Sequence, residues 1–112
     1  MSRAPLPSRR TSEIIDFQHD SLRYTASISR FDNGHLAEVF LDAEKVGAAA
    51  SVIARDLAVT ASLALQYGCP ATVLRKALTH DARGIAAGPL GALLDLVEGS
   101  MPAPRQSDGG EA

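Results

Sequence analysis

The chain predicts an α+β domain: a three-stranded antiparallel sheet packed by a long Ala-rich helix and one or two shorter helices. Three observations lead there. Leu22 to Phe31 alternates apolar and polar side chains, the period of a half-buried antiparallel strand. Asp32-Asn33-Gly34 supplies the positive φ values that a tight hairpin needs. From about Gly47 to Tyr67 the chain is dominated by Ala, Val, Ile and Leu, and Gly68 and Pro70 then stop and restart it. Strands first and helices after is the order of an α+β fold.

Each element follows from its own pattern. Ser12 to His19 reads as a first strand, with Ile15 and Phe17 on one face and Asp16 and Gln18 on the other. His19-Asp20-Ser21 is a turn. The second strand sets Leu22, Tyr24, Ala26 and Ile28 against Arg23, Thr25, Ser27 and Ser29. The third runs from His35 to Leu41, with Ala37, Val39 and Leu41 on one side and Leu36, Glu38 and Phe40 on the other. Apolar content on both sides predicts a more covered position. Asp42 to Val46 is a connection.

In the long helix, Ser51, Arg55, Ser62 and Gln66 share one stripe, and nearly everything else is apolar. So narrow a polar stripe predicts burial over most of the circumference. The sheet covers one side, and the second helix or another protein chain covers the rest. Asp56 lies beside the apolar face, where a carboxylate usually has a partner. A second helix spans about Pro70 to Thr79, with Val73, Leu74, Ala77 and Leu78 inward. His80 to Gly84 breaks it. A short third helix runs from Pro89 to Val97, with Leu90, Leu93, Leu94 and Val97 as its apolar face.

At 112 residues the chain makes one domain, placed at residues 12–98. Residues 1–11, with prolines and arginines, read as a flexible tail, and residues 99–112, rich in Gly, Pro, Ser and charge, as a disordered one. Thirteen acidic residues against eleven basic give a net charge of -2, so no footprint for nucleic acid stands out. The single cysteine, Cys69, excludes an intrachain disulfide and fits a reducing compartment. No apolar run reaches the length of a membrane span, and the N-terminus lacks a signal-peptide core. A cytoplasmic location is expected, with no membrane partner.

No catalytic set emerges. His19, His35 and His80 pair with no Cys, His or carboxylate at zinc spacing, so neither metal nor cofactor is expected. His80 and Asp81, with Arg83 close by, could form a small site or a solvated helix end. Cys69 could be a nucleophile only with a base beside it; a buried thiol is the plainer reading. Gly84, Gly88 and Gly91 could offer backbone N–H groups to an anion. Their spacing matches neither a P-loop nor a dinucleotide fingerprint, and a structural turn is the plainer reading.

Five motifs carry a family resemblance. They are Leu6-Pro7-Ser8-Arg9-Arg10, Tyr24-Thr25-Ala26-Ser27-Ile28, Asp32-Asn33-Gly34-His35 with Ala37 to Leu41, Lys45-Val46-Gly47, and Ser62 to Pro70. In that order they resemble "LPxxR", "Y-x-T-V", "DGRxxEIFI", "K-x-G" and "SLALQYGVP" of the TSCPD accessory domain. That domain belongs to adenosylcobalamin-dependent (class II) ribonucleotide reductases. The resemblance spans about Leu6 to Leu78. The Thr-Ser-Cys-Pro-Asp signature and the C-terminal cysteine pair of those enzymes are absent, so the resemblance implies a stand-alone copy of the domain and no reductase activity.

The resemblance, with no catalytic set beside it, implies a non-catalytic binding or regulatory module related to deoxyribonucleotide synthesis. A reductase large subunit is then the expected partner. The alternative is a homodimeric structural or small-ligand-binding protein joined through the Gly47–Tyr67 helix. A small enzyme using His80, Asp81 and Arg83, or Arg55 with Asp56, is the third possibility. The residues expected to line a functional surface are Arg9, Arg10, Arg55, Asp56 and Arg83.

Overall fold

The computed structural model describes residues 2–6, 12–44 and 47–99. Arg9 and Arg10 lie outside them, as do Lys45 and Val46. Three strands come first: β1 (Ser12–His19), β2 (Leu22–Arg30) and β3 (Leu36–Ala43). Three helices follow: α1 (Ala48–Gln66), α2 (Ala71–Ala77) and α3 (Pro89–Leu94), the last continuing as one π-helical turn, Asp95–Gly99. The strands form a single antiparallel sheet in the order β1-β2-β3. The α+β class, the hairpins and the long Ala-rich helix are therefore as the sequence predicts.

Both hairpins are built by backbone conformation. Asp20 and Ser21 have φ of 49° and 69°, the two positive values of a two-residue turn that matches strand twist. Gly34, at φ 91°, closes the second turn, and Asn33 Oδ1 accepts the His35 N–H at 3.0 Å. The registers bring Phe17 beside Tyr24, with stacked rings 5.4 Å apart. Ala26 pairs with Leu41 and Ile28 with Val39. These side chains make the inner face of the sheet, and Ala26 and Leu41 are wholly buried. α1 lays Ala54, Ala58, Ala61 and Leu65 over β3, small residues that permit close approach. α3 adds Leu90, Leu93 and Leu94 and reaches α1, α2 and β1. Each such buried leucine contributes roughly 1.5–3 kcal/mol. A Cβ on Gly91 would stand 3.0 Å from the Ala86 Cβ, so this glycine serves close packing.

β3 is the most buried strand, as its apolar content predicts, although it lies at an edge of the sheet; Phe40 on its outer face is 48% exposed. The apolar pair that looks two-sided, Leu36 with Ala37, is buried because the register shifts between Ser29 and Arg30 and breaks the alternation.

One expectation is corrected, the burial of α1 over most of its circumference. Ser51, Ser62 and Gln66 of its polar stripe face inward beside Ala54, Ala58, Ala61 and Leu65, Arg55 stands at the flank, and a second apolar stripe faces out. Ser62 Oγ accepts the Val39 N–H and donates to the Val39 C=O, both at 2.9 Å. Gln66 Nε2 donates to Ala37 C=O at 3.1 Å, and Ser51 Oγ to Ala43 C=O at 3.4 Å. These are groups on the side of β3 that no strand pairs, and an edge left bare of partners inside the fold would be costly. The helix supplies side-chain partners in place of a fourth strand. Meanwhile Val52, Ile53, Val59, Leu63 and Tyr67 are exposed by 40–59%.

α1 ends as its sequence directs. Gly68 takes φ 106°, its N–H bonds Leu65 C=O at 3.2 Å, and the Cys69 N–H bonds Ala64 C=O at 2.9 Å. This is the Schellman closure. Among the described residues no helix is long and apolar enough to cross a membrane.

Candidate functional site

The expected site residues that are described, Arg55, Asp56 and Arg83, do not gather into one cavity. Arg55 stands on the flank of α1, half-exposed, its Nε 3.7 Å from Asp42 Oδ1. That oxygen is shielded from solvent and has no hydrogen-bond partner among the described residues. The pair is an ion contact too long for a hydrogen bond. Asp56 does not sit in a buried salt bridge. It is exposed on the outer face of α1, between Val52 and Val59, and its backbone carbonyl accepts the Thr60 hydroxyl at 2.9 Å.

Arg83 belongs to a self-contained loop. His80 bridges to Ala86, and the Asp81 N–H bonds Ile85 C=O at 2.8 Å. Asp81 Oδ1 accepts the N–H groups of Arg83 at 2.8 Å and Ile85 at 3.0 Å, while Oδ2 lies 3.5 Å from Arg83 Nη2. The Ile85 N–H, then the Arg83 N–H, hold the Asp81 carboxyl below its ordinary value. Both of its oxygens thus serve the turn, and the carboxyl lies at the surface. The arrangement braces a loop; it does not present a nucleophile and a base to one substrate atom.

A concave site exists elsewhere. The β2–β3 turn, the α1–α2 junction, the N-terminal segment and the π-helical turn surround a cleft of about 1000 Å³. Leu36, Leu65 and Val97 are its apolar, buried lining. Asp32, His35 and Tyr67 stand on its exposed walls, and Cys69 is half-buried beside them. Arg30 Nη1 donates to Gly34 C=O at 3.0 Å and lies 3.6 Å from Glu98 Oε2, tying the hairpin turn to the π-helical turn. The Cys69 thiol donates weakly to Pro70 C=O at 3.6 Å. Among the described residues no three ligating side chains converge on a metal position.

Sequence reasoning misses this cleft although it marks the pieces. Asp32-Asn33-Gly34 and Gly68-Cys69-Pro70 both stand out as turns. Nothing in the spacing shows that the two turns meet at one end of the molecule. Arg3 lies in the N-terminal tail and Gln66 on the helix stripe, yet Arg3 Nε donates to Gln66 Oε1 at 2.6 Å, a contact set by a chain path that periodicity does not encode.

No family model, no curated protein and no solved structure matches the chain. The chemistry of the cleft rests on its own residues.

Proposed function

We propose that the chain is a non-catalytic protein-binding module whose contact surface is the outward face of α1. One observation carries this reading: Val52, Val59, Leu63 and Tyr67 are exposed together on one helical face, although α1 has a polar stripe that could have met solvent. A contiguous apolar stripe at the surface marks an interaction site. The motif resemblance names the partner to try first, the large subunit of a class II ribonucleotide reductase without its own accessory domain.

A specific feature favours a second reading, a homodimer through the same face. Asp56 lies within that face, between Val52 and Val59, and Arg55, its neighbour in sequence, stands at the flank. Two copies of α1 laid antiparallel about a two-fold axis between them would set each Arg55 opposite the partner's Asp56 and each Val52 near the partner's Val59. A two-fold contact requires such self-complementarity.

Light scattering after size-exclusion chromatography, alone and with the reductase, tests both. A joint peak that Leu63→Asp abolishes, with an unfolding midpoint unchanged, is the expected result. A dimer that Leu63→Asp and Asp56→Arg each split, and that ignores the reductase, selects the second reading. A monomer that leaves the reductase peak unmoved at tens of micromolar removes both.

A further inference from the structure

Gln66 holds the chain's own N-terminal segment in the cleft. Arg3 Nε donates to Gln66 Oε1 at 2.6 Å, and the Ala4 N–H donates to Gln66 C=O at 2.5 Å. Gln66 is 1% exposed, and its amide nitrogen is committed to Ala37 C=O. The amide therefore cannot flip without releasing β3, and its oxygen stays turned toward the N-terminal segment as a fixed acceptor. The backbone carbonyl is also left over. Leu63, Ala64 and Leu65 find donors in Tyr67, Cys69 and Gly68. Gln66 C=O then needs an N–H from outside the helix. The same end of α1 carries the negative pole of its dipole, which favours a guanidinium there.

One residue thus presents two acceptors and a favourable field to an extended segment, and reads an arginine followed by a residue with a free N–H. Ser2 and Ala4 line the cleft, yet about 1000 Å³ stays open beside them over Leu36, Leu65 and Val97.

We propose that this cleft is a peptide-binding site and that Ser2–Leu6 is its resident occupant. A partner protein supplies an extended segment whose arginine replaces Arg3 on Gln66 and whose apolar neighbours fill the open part. The resident segment is tethered, so its local concentration is roughly millimolar, and it guards the site against weak competitors. The cleft meets the α1 stripe at Tyr67, but Gln66 and Arg3 lie outside that stripe, so its test is independent of that proposal.

The test uses the full chain and a fluorescently labelled peptide of its residues 2–6, acetyl-Ser-Arg-Ala-Pro-Leu-amide, read by anisotropy. Arg3→Ala removes one of the two anchors on Gln66, so it loosens the resident segment without touching Gln66. The peptide should bind Arg3→Ala about tenfold or more tighter than the unaltered chain. Arg3→Lys keeps the charge but loses the guanidinium geometry, and should fall between them. The same peptide with alanine for its arginine should bind none of the three. Equal affinity for all three chains, no binding to Arg3→Ala, or binding indifferent to the peptide's arginine would overturn the proposal.

Discussion

Ser62 shows how much one hydroxyl can do in this fold. It is 8% exposed and serves both the N–H and the C=O of Val39. Ser62→Ala would leave two edge groups buried without partners, at about 1–3 kcal/mol. Ser51 makes a single longer bond, 3.4 Å to Ala43 C=O, in a half-buried place. Ser51→Ala should cost within about 0.5 kcal/mol. Urea unfolding of the two variants measures the difference; equal costs would mean that Ser62 is not the edge's partner. The serines of α1 are legible in the sequence as a stripe, but the direction of the stripe is not. The usual rule sends polar residues outward. It fails here because an unpaired strand demands hydrogen bonds more strongly than water attracts a few serines and a glutamine.

At the scale of elements, strand and helix boundaries are legible because punctuation and period agree. Gly68 stops α1 and Gly34 turns the hairpin through positive φ, while Asn33 serves the turn with its side-chain oxygen rather than its backbone conformation. The burial of β3 is legible but its edge position is not, since α1 and not a fourth strand covers it. The loop around Asp81 illustrates a local electrostatic brace. Its carboxyl titrates below the ordinary 3.8, because the Ile85 and Arg83 N–H groups favour the charged form. A depressed folded-state pKa contributes stability above the unfolded value, and that contribution is lost as pH falls through the folded one. The loop should therefore hold at neutral pH and loosen only in acid. An NMR titration of the Asp81 side chain should give a midpoint under 3.8; a midpoint at or above it would contradict the brace.

The whole molecule depends on a thin core. Aromatic residues are 4% of the chain and there is no Trp, so alanines and leucines must fill the space between sheet and helices. Leu93 and Leu94 are wholly buried, and α3 reaches α1, α2 and β1 together. Leu93→Ala should cost about 2–5 kcal/mol, a large part of the roughly 5–15 kcal/mol typical of a domain. Thermal unfolding followed by circular dichroism should show one cooperative transition shifted strongly downward. A shift within error of the parent would show that α3 is peripheral. The candidate cleft belongs to this scale as well. It forms where separate turns and the N-terminal segment meet, which no window of sequence contains.

The sealing of β3 by α1 also limits how this protein can go wrong. A sheet with two free margins can recruit neighbour after neighbour into a fibre. Here one margin is closed by hydroxyl and amide groups, and β1, with Ile14 69% exposed, lies at the other. Two copies that met through β1 would make a six-stranded sheet closed at both ends, and growth would halt at the pair. Ser62 is therefore a chain terminator in the polymer sense as well as a stabiliser.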